Sequence, residues 1–217
     1  MSLDNIFFQL CASLLFLTVI LLHITKKNIS EVLLYGLQST AVVVLMGLSV
    51  FKSSSLSLVA VLIIMLTVKV VLTPIFFARI INQYKLKFTD SRYLSTPITL
   101  FVIALILLLV GSDVFRPLTE IAPDYKAYLT LVLAAMLMSV FLIINRKGVV
   151  SQAMGVLSLE NSIVMFAIFA GLEQSPLFQL GIIFDIFIWI LLAVVFVSMI
   201  FRHFGTLDAT NMKNLKG

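Results

Sequence analysis

The sequence predicts an all-α, polytopic membrane protein with seven transmembrane helices. Of its 217 residues, 61% are hydrophobic and only 12% are charged, and the mean hydropathy is +1.17. Soluble domains contain roughly 45–50% apolar residues, so this composition excludes a soluble protein. The apolar residues form continuous runs, whereas the strands of a membrane barrel alternate apolar and polar residues. Because every backbone polar group in a bilayer must find an internal partner, the runs are predicted to be helices.

Each of the seven runs is long enough to cross the hydrocarbon core as a helix. In chain order they are Ile6–His23, Val32–Phe51, Leu56–Phe77, Pro97–Val114, Tyr128–Ile144, Val150–Gly171 and Leu177–Phe201. We expect three parts: a three-helix unit with a cytoplasmic loop (1–95), a fourth helix with an outside loop (96–127), and a three-helix unit with a cytoplasmic tail (128–217). The basic loops at 24–29 and 144–149 resemble each other, so spans 1–3 and 5–7 are candidate parallel repeats.

The basic residues predict the orientation of the spans. Cytoplasmic loops of membrane proteins carry the excess of lysine and arginine. Most basic residues lie in the connections after spans 1, 3 and 5 and in the C-terminal tail: Lys26, Lys27, Arg79, Lys85, Lys87, Arg92, Arg146, Lys147, Arg202, Lys213 and Lys216. We therefore expect an outside N-terminus, a cytoplasmic C-terminus and a multi-pass location in the inner (cytoplasmic) membrane. The net charge of +5 fits such loops, and no nucleic-acid partner is expected.

Two carboxylates lie near the middle of apolar runs. Glu160 and Asp185 each have about half a membrane thickness of apolar residues on either side. An ionised carboxylate at that depth costs several kcal/mol unless it is paired, hydrated or protonated. Both residues are predicted to belong to a proton pathway, with Ser158 and Asn161 as supporting polar groups beside Glu160. The alternative is a structural hydrogen bond between helices.

Lys69 is a third buried charge, and it lies too far from either end of span 3 to reach the membrane surface. Pro74 lacks an N–H and leaves the carbonyl of Val70 without its helical partner. A broken helix beside a buried amine is typical of a gate or proton relay, and a static ion pair with a carboxylate on another helix or subunit is the alternative. Gln38, in span 2, is more typical of a hydrogen bond between helices than of a relay.

The sequence indicates no catalytic centre. It has one cysteine, Cys11, and two histidines, His23 and His203, that lie far apart, so the usual ligand sets for zinc or iron–sulfur clusters are missing. No nucleophile–base constellation or phosphate-binding loop stands out. We therefore expect a non-catalytic chain with no cofactor or metal of its own.

Several stretches resemble the hydrogenase-4 component E family. They are RKGVVSQAMGVLSLENSI, GIIFDIFIWILLAVVF and RHFGTLDATNMKNLKG, together with YGLQS in span 2 and TVKVVLTP in span 3. The C-terminal part of that family is similar to the small three-helix K subunit of respiratory complex I. The K subunit has two membrane-embedded carboxylates in its proton pathway, and they match Glu160 and Asp185, although complex I usually has a glutamate at the second position.

The resemblance implies a subunit of a membrane-bound, group 4 nickel–iron hydrogenase, such as a formate hydrogenlyase-type complex. The expected partners are antiporter-like and complex I H-like membrane subunits and a cytoplasmic hydrogenase arm, with the nickel–iron site and iron–sulfur clusters on those partners. This chain would then contribute to proton or sodium translocation coupled to the redox reaction. Two alternatives stay open: a K-like subunit of a multi-subunit cation/proton antiporter, and a purely structural membrane scaffold.

Overall fold

The computed structural model describes residues 3–53, 56–83, 85–86 and 92–172, and the single residues Ser175, Gly181, Ile188, Trp189 and Val195. Residues Met1–Gln179 form one compact unit, to which all contacts below belong, and Leu180–Gly217 are assigned to a second. The predicted seventh span lies almost entirely outside the described residues, and Asp185 lies outside them too.

All regular structure in the described residues is helical. Eight α-helices follow one another: α1 (Leu3–Ile24), α2 (Asn28–Ser53), α3 (Leu56–Met65), α4 (Thr73–Gln83), α5 (Thr96–Val110), α6 (Arg116–Thr119), α7 (Lys126–Asn145) and α8 (Val149–Phe169). A π-helical segment, Leu66–Leu72, joins α3 to α4, and single 3-10 turns occupy Asp113–Phe115 and Pro123–Tyr125. The end of α8 is fixed by Gly171, whose positive φ of 71° lets the N–H of Leu172 bond back to the carbonyl of Ala167.

Five helical stretches are long and apolar enough to span a membrane: Asn5–Ile24, Asn28–Phe51, Leu58–Gln83, Pro123–Asn145 and Val149–Phe169. The prediction of an all-α polytopic membrane protein is therefore confirmed. The fourth predicted span differs from a simple helix. Helix α5 has 15 residues, which reach only about 22 Å at 1.5 Å per residue, and the chain then bends by 58° into Asp113–Thr119. This bent pair is a sixth candidate span, and a total of seven stays a prediction.

Four helices form the centre of the unit. The short connections after α1 and α7 make two antiparallel hairpins, α1–α2 and α7–α8, and the hairpins pack with α1 against α7 and α2 against α8. The segment from α3 to α4 packs on α2, and α5 packs on α7. Helix α2 therefore packs against α1, α8 and the π-helical segment.

The loops predicted to be cytoplasmic meet at one end of this unit. Arg92, before α5, donates hydrogen bonds to the carbonyls of Ile24 and Thr25 at the end of α1, and the N–H of Tyr93 donates to the carbonyl of Asn145 at the end of α7. At the opposite end, the ring of Phe8 packs against Tyr125, Tyr128 and Phe169. This arrangement agrees with the predicted alternation of the loops, and the side of the membrane that each end faces stays a prediction.

Helices α7 and α8 approach closely at Gly155. A Cβ atom at this position would lie 2.8 Å from Cγ1 and 3.2 Å from the backbone nitrogen of Ile143. Small residues let membrane helices come close enough for their backbones to pack. Gly155 is therefore required for the spacing between α7 and α8.

We predict that Gly155→Ala lowers the free energy of unfolding by about 1–3 kcal/mol, because the added methyl group forces α7 and α8 apart. Gly47→Ala in α2 is the matched control, since no atom lies within 4 Å of its added Cβ. That control should be neutral or stabilising by up to about 1 kcal/mol through helix propensity. Thermal unfolding of the purified chain in detergent measures both, and equal midpoints would contradict the packing role of Gly155.

Candidate functional site

Lys69 lies in the π-helical segment between α3 and α4. Both the N–H and the side-chain hydroxyl of Thr73 donate to the carbonyl of Val68, the latter at 2.8 Å. Because Pro74 cannot donate, the preceding turn widens into π geometry, and the helix continues to Gln83. The expected interruption at Pro74 is thus a wide turn that contains the lysine. Single π-helical turns occur frequently at functional sites.

The ammonium group of Lys69 is directed into the protein, where only 2% of the residue is exposed, in agreement with its predicted interior position. Its Nζ atom lies 3.7 Å from Oε2 of Glu160 and donates a hydrogen bond of 3.2 Å to Oδ1 of Asn161. The amide nitrogen of Asn161 in turn donates to the hydroxyl of Ser39 at 3.1 Å. This chain of contacts links the π-helical segment to α8 and α2, and we call Lys69, Glu160, Asn161 and Ser39 the central polar site.

Glu160 has a buried carboxylate with unused hydrogen-bonding capacity. Its side chain is 12% exposed, and neither carboxylate oxygen has a hydrogen-bond donor in the described part of the chain. A carboxylate presents about four acceptor positions, and the ammonium group of Lys69 lies beyond hydrogen-bonding distance. The arrangement can therefore accommodate a proton, a water molecule or a cation on Glu160.

None of the polar residues expected near Glu160, namely Asn161, Ser158 and Gln38, donates a hydrogen bond to its carboxylate. Asn161 bonds to Lys69 instead of Glu160. Ser158 receives a hydrogen bond of 3.1 Å from the hydroxyl of Ser139 and so connects α8 to α7. Gln38 is fully buried, and neither its amide oxygen nor its amide nitrogen has a hydrogen-bond partner among the described residues. Ser158 thus links two helices. The interhelical hydrogen bond expected for Gln38 is not present among the described residues.

A second polar cluster lies at the end where the basic loops meet, and the sequence analysis missed it. It contains Glu31, in the first turn of α2, and Arg146, directly after α7. Both side chains are 1% exposed, and Nη2 of Arg146 lies 3.3 Å from Oε1 of Glu31. The hydroxyl of Ser151 donates to Oε2 of Glu31 at 2.8 Å. Arg146 also donates to the carbonyls of Leu22 and Thr25. We call Glu31, Arg146 and Ser151 the loop-end cluster.

Electrostatics explain why these charges lie at the end of α1. The last carbonyls of a helix have no intrahelical partner and attract positive charge, and both Arg92 and Arg146 donate to them. Burial lowers the pKa of the Arg146 guanidinium, Glu31 raises it, and Arg92 lowers it. The carboxylate of Glu31 therefore compensates for two neighbouring cations. The sequence offered little signal for this pair, because a glutamate that begins a helix and an arginine that ends an apolar run are both ordinary surface features.

Among the residues the structure describes, no group of three His, Cys, Asp or Glu side chains lies close enough together to hold a metal ion.

His23, for which no role was predicted, donates from Nε2 to the carbonyl of Met138 at 3.0 Å and stacks on Phe141. It therefore connects α1 to α7.

The chain is similar to the protein called hydrogenase-4 component E in Escherichia coli (strain K12). The two are 26% identical over 153 residues, which are 69% of this chain and 69% of that protein. The proteins of the same name in Escherichia coli O157:H7 and Shigella flexneri match with the same identity and coverage. No family model matches the chain, and no solved structure matches it. The resemblance to component E is thus confirmed as a distant similarity.

We predict that Glu31→Gln and Arg146→Gln each lower the free energy of unfolding by about 3–5 kcal/mol, because each removes one charge of a buried ion pair. The double variant should cost less than the sum of the two, since the surviving charge is then also gone. Chemical unfolding of the purified chain measures this double-mutant cycle. Glu120→Gln, which breaks an exposed ion pair with Lys126, is the control and should change little. Additive losses from the two single substitutions would show that Glu31 and Arg146 do not stabilise each other.

Proposed function

We propose that this chain is a membrane-arm subunit of a complex I-like, membrane-bound hydrogenase. Its distant similarity to hydrogenase-4 component E proteins supports this assignment. In this proposal the chain spans the inner membrane seven times, with its N-terminus outside and its C-terminus in the cytoplasm. Antiporter-like and complex I H-like membrane subunits and a cytoplasmic arm are its partners. The nickel–iron site and the iron–sulfur clusters belong to those partners, so the chain itself is non-catalytic.

Within the complex, the chain contributes buried carboxylates to redox-coupled translocation of protons or sodium. The observation that carries this role is the pairing of Lys69 with Glu160 at 3.7 Å, in a site where the carboxylate oxygens keep free acceptor capacity. A purely structural buried carboxylate would be expected to accept at least one hydrogen bond from a fixed donor. A carboxylate with free acceptor positions beside a buried ammonium group is a site at which a proton can be taken up and released.

The two charges can act on each other directly. The Lys69 ammonium stabilises the ionised form of Glu160, and displacement of that ammonium would favour a neutral carboxylic acid. The π-helical turn that carries Lys69 is an irregularity of the kind that is frequent at functional sites. A redox event would have to bias one of these positions through a neighbouring subunit, because only a differential interaction shifts such an equilibrium. Asp185 is the second carboxylate of the proposed pathway, one span further along the chain.

One observation favours a structural scaffold as the second candidate. Lys69 is also held by Asn161, which is itself bonded to Ser39, so the central polar site joins three helical segments whether or not a proton moves. In that case the buried charges would only fix the helices in place.

We predict that Glu160→Gln abolishes ion translocation while the complex still assembles, because an amide of nearly the same shape cannot exchange a proton. The measurement is the number of ions moved per redox turnover in sealed membrane vesicles that contain the intact complex, with assembly checked by co-purification. A fall of about tenfold or more is expected. Glu120→Gln, at an exposed ion pair in the loop before α7, is the matched control and should leave translocation unchanged.

The same experiment separates the two candidates. Unchanged translocation in an assembled Glu160→Gln complex would contradict the relay and support the scaffold. Lys69→Met adds a second distinction: a scaffold predicts that Lys69→Met disrupts assembly and that the double variant with Glu160→Gln restores it, whereas a relay predicts that translocation stays lost in the double variant.

A further inference from the structure

The buried face of α2 carries a row of polar side chains. Glu31, Tyr35, Gln38 and Ser39 are each no more than 1% exposed. At 100° per residue, their Cα atoms fall within about 100° of one another around the helix. From Glu31 to Ser39 the row covers about 12 Å along the axis, at 1.5 Å per residue. It therefore runs from the loop-end cluster to the central polar site.

Helix α8 carries a matching row. Ser151, Ser158, Asn161 and Ser162 are all buried, and they too fall on one side of their helix. The two rows are bonded at two levels. Ser151 donates to Glu31 at the loop end, and Asn161 donates to Ser39 at the central polar site. The α2–α8 interface is thus polar at both levels, and Gln38 lies on α2 between them.

Gln38 contributes a side-chain amide to this row. Its amide is fully buried, and both its oxygen and its nitrogen lack hydrogen bonds among the described residues. An unpaired buried amide costs about 1–3 kcal/mol, so a partner is expected. That partner must both donate and accept and must fit inside a packed bundle, and water does so, since buried waters make 2–4 hydrogen bonds to such groups. Neither carboxylate oxygen of Glu160 has a hydrogen-bond donor among the described residues, and water can supply that donor as well.

From these observations we infer that ordered water molecules occupy the α2–α8 interface beside Gln38 and connect the Glu160 carboxylate to the Glu31–Arg146 pair. Gln38 is a positioning residue that holds this water in a file. The role of the file as a route for protons between the central polar site and the loop end rests on the proposed function. The presence of the water does not, because it follows from the unmet hydrogen bonds of Gln38 and Glu160.

The presence of water is tested by chemical accessibility in vesicles that contain the intact complex. Gln38→Cys is introduced with Cys11→Ser, which removes the chain's one natural cysteine, and is treated with 2-aminoethyl methanethiosulfonate, a small hydrophilic thiol reagent. Val42→Cys in the same background is the matched control, because Val42 is equally buried, one turn further along α2. Modification of the chain, read as a mass shift, should be about tenfold faster at position 38, since only a hydrated thiol ionises readily. Equal rates at the two positions would overturn the inference.

The route is tested by Gln38→Leu, which keeps the size of the side chain but removes its hydrogen bonds. Ion translocation per redox turnover should fall about tenfold, whereas Thr40→Val, a polar-to-apolar change on the exposed face of α2, should have no effect. If Glu160→Gln abolishes translocation and Gln38→Leu does not, the route through Gln38 is wrong and the proposed function stands. If Glu160→Gln leaves translocation unchanged, the proposed function fails, and the thiol experiment alone decides whether the interface holds water.

Discussion

Charged and polar groups inside an apolar helix bundle must be paired or hydrated, and this constraint determines the interior of the protein. Lys69, which is buried in the unit, lies against Glu160 and Asn161. The π-helical turn that contains it positions the ammonium group among three helical segments. The carboxylate oxygens of Glu160 still have no hydrogen-bond donor among the described residues, and the proposed translocation role depends on this free acceptor capacity.

The loop-end cluster performs a different task. Glu31 and Arg146 are fully buried, and the arginine also binds the free carbonyls at the end of α1. This cluster fixes α1, α2, α7 and α8 relative to one another where the basic loops converge. The central polar site, where the Glu160 carboxylate has unfilled acceptor positions, lies further along α2 and α8 and includes Lys69 of the π-helical segment. The proposed role needs both features: bonds that hold the helices in place at one end, and free acceptor positions on Glu160 where a proton or a cation can bind.

The sequence predicted well whatever depends on local hydropathy, and poorly whatever depends on partners distant in the chain. The apolar runs anticipated α1, α2, α7 and α8 closely, and the depth of Lys69 indicated an interior position. The pairing of Lys69 with Glu160 was not specified, because nothing local relates residues on different spans. Glu31 and Arg146 were missed since charges beside an apolar run usually face water. The bend after α5 lies at Gly111 and Ser112. No proline marks this point, so the predicted fourth span continued through it to Val114.

The most direct test of the account is whether Glu160 exchanges a proton when the intact complex turns over. Infrared difference spectra between the oxidised and reduced complex report this through the C=O stretching band of protonated carboxylic acids. The account predicts a redox-dependent change in that band in the natural protein and its loss in an assembled Glu160→Gln complex. Identical difference spectra from the two complexes would contradict the account, because the carboxyl group of Glu160 would then keep one protonation state throughout the cycle.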